Sequence, residues 1–381
     1  MRRGCGVLVL MVVFTTALAG CQELPEPTAD LPVLQRVGLS SPFHIDRIYK
    51  SMEGPSAEAR FRLGSGATEL LWITGYRTEV ADEAGRPSEA LAEFMCHNNV
   101  DFDAALHSRR FGLERPVNFG RVFTVSQGVF EIDLPDGFGI PVFSDEELTV
   151  YTMVLNHNRE DAEVTVRHRI TIDYVRDADA RGRLRPLYPT FAPVMALVAG
   201  DDGYYGLESE PASHQEGASC APGMVAPNAP QATRYYRDPE GRVFTQHWVV
   251  PPGEERRRTL VTRILNVPFD TTLHAIAAHL HPFAQSLELR DLERGETLFR
   301  ARARAPERGV GLAGVEAFSS AEGIPVFRDR DYEVVSVYDN PTGVDQDAMA
   351  VFFAYYYDAE MDRRLDAVRA ELARTEAAGG I

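Results

Sequence analysis

The sequence predicts an all-β protein: two tandem β-sandwich (jelly-roll) units made by an internal repeat, followed by one C-terminal amphipathic helix. Three observations carry that reading. Gly139-Ile140-Pro141-Val142-Phe143 recurs as Gly323-Ile324-Pro325-Val326-Phe327, a shift of 184 residues (323 − 139). Val164, Val166, His168, Ile170 and Ile172 alternate with Thr165, Arg167, Arg169, Thr171 and Asp173, the period-two pattern of a strand with one buried face. Only at the end does the period become helical, with Met361, Leu365, Val368 and Leu372 on one side.

From the N-terminus, residues 1–20 have the parts of a secretory signal: Arg2 and Arg3, an apolar run over 7–19, and a small-residue end. That run is shorter than the ~20 residues of a spanning helix. Leu18-Ala19-Gly20-Cys21 resembles the bacterial lipobox, which implies cleavage before Cys21 and lipidation of its thiol. Gln22, where Asp is lacking, implies delivery to the outer membrane, facing the periplasm or the cell surface. Residues 21–41 then read as a tether, stiffened by Pro25 and Pro27. The first sandwich is expected over 42–176 and the second over 233–358. Between them, 177–232 is rich in Gly, Pro, Ala and Ser and reads as an irregular connection. The helix and tail occupy 359–381 and should pack across a sheet or a domain junction. Under the 184-residue shift His97 meets His281, Asn156 meets Asn340, and the strand at 164–174 meets 348–358.

The formal net charge is −17, and losing Arg2 and Arg3 with the signal makes the mature chain more acidic still. No basic stripe remains, which excludes the electrostatic footprint of a nucleic-acid binder. Lys50 is the only lysine. Of four cysteines, Cys5 leaves with the signal and Cys21 is acylated, so Cys96 and Cys220 remain in an oxidising compartment where disulfides persist. A bridge between them competes with metal ligation by Cys96.

The chemistry concentrates in His274-Ala275-Ile276-Ala277-Ala278-His279-Leu280-His281-Pro282-Phe283. In a strand, residues two apart point the same way with Cα atoms roughly 7 Å apart, so His279 and His281 can hold one ion while Leu280 faces the core. Neutral imidazoles suit copper and zinc. In the later strand Met349 shares a face with Val351, Phe353 and Tyr355, while Ala348, Ala350 and Ala354 take the other. A thioether there suits Cu(I).

These two segments resemble the catalytic domain of the type II, ascorbate-dependent copper monooxygenases, the peptidylglycine and dopamine hydroxylating enzymes. A nearer resemblance is to the stress up-regulated nodulin family and its bacterial lipoprotein relatives. It rests on Thr78-Glu79-Val80-Ala81-Asp82-Glu83-Ala84-Gly85 leading to Cys96-His97, on Leu155-Asn156-His157, and on the two C-terminal segments. The resemblance implies an oxygen-activating copper on His279, His281 and Met349. It also implies an electron-transfer copper on His97 and His157. Where the family has two adjacent histidines this chain has Cys96-His97, a departure that puts the second site in question. On a regular strand Met95 and His97 would face the metal and Cys96 would turn inward; a bulge would turn Cys96 outward.

Elsewhere His168 reads as a core residue, and His247 as packing or a neighbour of the metal site. His44, His107, His214 and His274 have no partner readable from spacing. No phosphate-binding Gly-rich loop, zinc-protease helix motif or serine-nucleophile elbow stands out. Three functions follow: a copper-dependent monooxygenase hydroxylating a C–H bond of a small molecule or peptide, a non-catalytic copper-handling lipoprotein, or a metal-free scaffold on the same fold.

Overall fold

The structure, a computed structural model, describes residues 30–51, 53–114, 120–197, 236–237 and 242–379. The signal, Cys21, the prolines of the tether, His214 and Cys220 lie outside the described residues.

One ten-stranded sheet runs through both units. Its order is Leu34–Leu39, Val164–Arg176, Leu70–Asp82, Phe138–Phe143, Arg185–Pro193, Ala350–Tyr357, Thr271–Leu280 and Phe318–Val326, with Phe43–Ile45 and Glu131–Asp133 paired beside that path. A four-stranded sheet (Ser56–Phe61, Leu148–Val154, Met95–Phe102, Arg121–Ser126) completes the first sandwich. A five-stranded sheet (Gly253–Leu260, Tyr332–Asn340, Ala284–Asp291, Glu296–Arg304, Gly314–Val315) completes the second. The alternation read at 164–172 is realised: Val166, Ile170 and Ile172 are buried in the core between the sheets. His168 is buried with them. Each such aliphatic side chain contributes roughly 1.5–3 kcal/mol by leaving water.

The two copies of the repeated pentapeptide occupy equivalent places. Ile140 pairs with Ile73 beside the strand Leu70–Asp82, and Ile324 pairs with Leu273 beside Thr271–Leu280. Upstream the 184-residue shift fails. Met95 pairs with Val154 and Ala284 with Tyr338, so Met95 corresponds to Ala284, 189 residues on (284 − 95). His97, opposite Met153, therefore matches Ser286, opposite Val337, and not His281. The strand carrying His279 corresponds instead to Leu70–Asp82, because Leu280 faces Ala350 as Asp82 faces Val166. Loops absorb insertions cheaply, whereas a one-residue slip within a strand turns every side chain over.

Two expected boundaries also shift. Leu34–Leu39, read as tether, is an edge strand paired with Val164–Arg176. All six of its residues are exposed, so its support is the backbone ladder, which leaves no apolar pattern to detect. The expected irregular connection begins with a helical turn, Asp177–Ala180, and then the strand Arg185–Pro193 that joins the two halves of the large sheet. Pro186, Pro189 and Pro193 argue against a central strand. They are tolerated because this strand pairs with Phe138–Phe143 only through Arg185 and Pro186, and runs beside Ala350–Tyr357 for the rest.

The C-terminal helix spans Ala359–Gly379. Asp358 Oδ1 accepts from the backbone N–H groups of Glu360 and Met361, both at 3.0 Å, which satisfies donors the first helical turn leaves open. Met361, Leu365 and Val368 pack with Phe111, the end of the helix Ala104–Phe111, and with Trp72, Phe143 and Val175 on the outer face of the first unit's half of the large sheet. Arg369 pairs with Asp177 at 2.9 Å, and Asp177 also accepts from Trp72 Nε1 at 2.8 Å. Among the described residues no helix is long and apolar enough to cross a membrane.

Candidate metal centre at the junction of the units

The second unit's half of the large sheet also has an outer face, and the first unit covers part of it. His279 lies opposite Val351 and Ala277 opposite Phe353, so these four share that face. Leu280, Ala350, Ala278 and Phe352 belong to the sandwich core. Tyr355 Oη donates to the carbonyl of Val122 at 3.0 Å, fastening the strand Arg121–Ser126 onto the junction. His97 sits one strand further in, paired with Ser126 and Met153.

A register shift between Met95 and His97 marks the bulge that the sequence left open. It turns Met95 into the first sandwich's core, which removes Met95 as a candidate ligand. Cys96, the extra residue, packs with Tyr151, Met153 and Leu155, and its Sγ stands 3.2 Å from His97 Nδ1.

Imidazoles then run across the junction. Ring centroids are 6.1 Å apart for His97 and His279, 5.3 Å for His279 and His281, and 5.3 Å for His281 and His247. His281 Nδ1 is 2.9 Å from Asp347 Oδ2, and His247 Nδ1 is 3.5 Å from Asp347 Oδ1. The short pairing of Trp248–Val250 with Gln346–Ala348 brings those two groups together. Donor atoms of His247, His281 and Asp347 lie within 4.8 Å of one another, an arrangement that could hold a metal ion. His157 follows Asn156, whose side chain donates to the carbonyls of Arg47 and Arg159 and accepts from the N–H groups of Asn158 and Arg159. Asn340 makes the matching turn in the second unit, donating to Val250 and Val344.

Met349 stands across from His281, whose N–H donates to the Met349 carbonyl at 3.2 Å. Its parity is as expected, sharing a cluster with Val351 and Phe353. The side chain, fully buried, packs among Phe191, Met195 and Phe244 as well. The structure also brings a carboxylate the sequence did not point to, Asp347, to Nδ1 of His281.

The electrostatics favour ligand-ready states. Burial holds His279 well below the ordinary histidine range, with neighbouring His281 and His97 adding to it. Burial likewise lowers His157 to about 4. Burial raises Asp347, but hydrogen bonding and charge from His247 and His281 outweigh it and hold the carboxyl below the usual range. Near neutral pH, His279 and His157 are neutral and Asp347 is ionised, the forms that coordinate metal. Both ring nitrogens of His157 and of His279 are buried with no hydrogen-bond partner among the described residues. An unsatisfied buried polar atom costs about 1–3 kcal/mol. Orphaned imidazole nitrogens beside a carboxylate and a thiol are a donor set that fits copper or zinc.

The other histidines are engaged elsewhere. His107 Nδ1 contacts Glu146 at 2.8 Å, both buried, and His274 lies between Thr272 Oγ1 (2.7 Å) and the Ser320 carbonyl (3.0 Å). His168 approaches Asn98 at 3.3 Å in the first core. His44 meets Glu163 at 3.3 Å on the surface. Asp347 was not singled out by the sequence, though it lies two residues before Met349 on the same strand parity. A larger cavity, of about 160 Å³, lies between the edge strands Leu34–Leu39 and Ser56–Phe61 and carries no imidazole or thiol.

No family model matches the chain, and no curated protein matches it. Among solved structures it is similar to the STIV MCP at 9% identity and a TM-score of 0.32, covering 87% of this chain and 98% of that one. It is also similar to N-glycanase F (PNGase F) at 11% identity and a TM-score of 0.27, covering 83% of this chain and 94% of that one. Likenesses this loose carry no argument about activity.

Proposed function

We propose that the junction cluster binds copper and that the protein uses it as an oxidoreductase in the cell envelope, tethered through Cys21. One observation carries this reading: the buried, partnerless ring nitrogens of His279 and His157 beside the His281–Asp347–His247 group. Buried polar atoms are nearly always hydrogen-bonded, so a cluster of imidazoles without protein partners calls for a completing group, and a bound ion supplies one.

Bound copper would supply one-electron transfer and oxygen binding, the chemistry of the monooxygenases the sequence resembles. The chain's own part is to present neutral imidazoles from His279 and His281, with His97, His157 and Cys96 arriving from the first unit. Asp347 beside His281 Nδ1 holds that ring, which leaves Nε2 for the ion, and its charge offsets part of the ion's. Leu280 and Val351 keep the strands packed, so the donors stay in place without rearrangement. Met349 supports the site by packing and by its carbonyl, with its sulfur as a further soft donor.

A second reading, copper handling without turnover, is favoured by the closure of the cluster: His279 and His281 are each only 2% exposed. Metal analysis of protein purified from the envelope fraction tests both. Copper retained by wild type and lost in His279→Ala supports metal binding; zinc alone, or no metal, overturns it. Ascorbate-driven oxygen consumption then separates the enzyme from the copper-handling protein.

A further inference from the structure

An opening lined in part by the cluster reaches the surface. It is a pocket of about 110 Å³ formed by both units, with His157 and Asp347 in its wall. A single water needs only about 10–15 Å³ on this measure, so the space admits a small organic molecule or part of one.

Its chemistry is two-sided. Ile48, Pro282, Phe283 and Val310 make an apolar lining. At the edge stands Lys50, the only lysine in the chain. No ion pair engages its ammonium among the described residues, in a protein of net charge −17 whose arginines are repeatedly matched to carboxylates. Asp347, the one carboxylate in the wall, is turned to His281 and His247.

Two features show that the walls are built rather than incidental. Phe283 has φ +72°, a left-handed conformation that a bulky aromatic residue adopts only when its surroundings force it. Strain of this kind costs about 1–3 kcal/mol and concentrates at functional sites. It follows directly on His281-Pro282, so the turn that ends the histidine strand also aims the ring into the pocket. Val310 is held from the other unit by Asn158, the neighbour of His157: Asn158 Nδ2 donates to its carbonyl at 3.0 Å, and its N–H donates to Asn158 Oδ1 at 2.7 Å. The residue that positions one wall thus adjoins a histidine of the cluster.

We propose that this pocket admits a small apolar molecule bearing one negative charge, with the charge held by Lys50 and the apolar body against Phe283 and Val310. It deepens the copper reading by naming what reaches the cluster, and it rests on that reading only for the purpose of delivery.

Phenylacetate, phenylacetamide and acetate are the probes, titrated against the full protein as purified. Phenylacetate should bind roughly 3- to 10-fold tighter than phenylacetamide, the range of one partly exposed ion pair with a charge-assisted hydrogen bond. It should also bind tighter than acetate, which lacks the apolar body. Lys50→Met should abolish the preference for the acid over the amide, Lys50→Arg should restore most of it, and metal content should not change. Phe283→Gly keeps the left-handed backbone and removes the ring, so it should weaken acid and amide alike. Equal binding of acid and amide, or a preference that survives Lys50→Met because the carboxylate goes to the metal, overturns the proposal. A preference abolished by Lys50→Met in protein that carries no metal upholds the pocket while the copper reading fails.

Discussion

The two sandwich units share a frame and differ in what covers it. In the first, the outer face of the large sheet is covered by the C-terminal helix, whose Met361, Leu365 and Val368 meet Trp72 and Phe143 in an apolar contact. In the second, the equivalent face is covered in part by the other unit, and there the chain places His279 against His97. The counterparts of His279-Leu280-His281 in the first unit are Ala81-Asp82-Glu83, where Asp82 ties a turn to Arg86. The two units share register and turns, as Asn156 and Asn340 show, while the His-x-His pair stands in the second unit only. Because the two units meet through different faces, the site they build together is asymmetric.

The largest effect that would test this contrast is at the histidine strand. His279→Ala should abolish copper retention, measured by metal analysis, whereas Ala81→His at the matching position should create none. A metal site gained by Ala81→His would mean the frame alone is sufficient.

Next in size is the helix cover. Leu365→Ala should destabilise the fold by about 2–5 kcal/mol, read from denaturant midpoints, through the cavity it leaves against the first unit. Copper stoichiometry in the folded protein should be unchanged. A loss of copper would show that the helix face and the junction are coupled.

Each unit also buries a histidine away from the cluster whose proton affinity is lowered, His168 in the first and His274 in the second, and these contribute a pH dependence. Burial lowers His168 to about 3 in the first unit and His274 to about 4 in the second. Both folded values lie below the unfolded value of about 6.5, so the contribution is fully present above that pH. It is lost as pH falls, because the unfolded chain takes up protons that the folded one refuses. For His274 the loss is on the order of 3 kcal/mol between pH 6.5 and 4, and for His168 it continues toward pH 3. Denaturant unfolding of metal-free protein across this range should show falling stability; a flat profile would contradict the burial of both rings.

The smallest effect expected is at Met349. Met349→Leu conserves volume in the cluster with Phe191 and Phe244, so the stability change should stay under about 1.5 kcal/mol. Cu(II) retention should be unaffected. A selective loss of Cu(I), followed by titration under ascorbate, would show that the sulfur reaches the ion.

Much of the fold was legible because strand alternation and helical period are local. The pattern at 164–172, the pentapeptide repeat and the apolar stripe of the last helix all gave the elements observed. What was not legible had non-local causes. Leu34–Leu39 is a strand only because an edge was available to it, and Arg185–Pro193 is one despite three prolines because its partners leave their missing donors unneeded. The gapless match of His97 with His281 failed because insertions accumulate in loops between strands whose own register is kept.

The sequence by itself determined that His279 and His281 share a face, since residues two apart on a strand must. It likewise determined that Met349 lies on the side away from Ala348 and Ala350. Only the tertiary structure decided that Cys96 is the bulged residue and Met95 a core one, because a bulge is set by the partner strand as much as by the strand itself. Only it decided that Asp347 and His247 stand at His281, through a two-strand pairing about a hundred residues apart. And it alone brought His97 and His157 to the second unit's sheet, because burying one sandwich against the other selects the face that closes, and no local period encodes that choice.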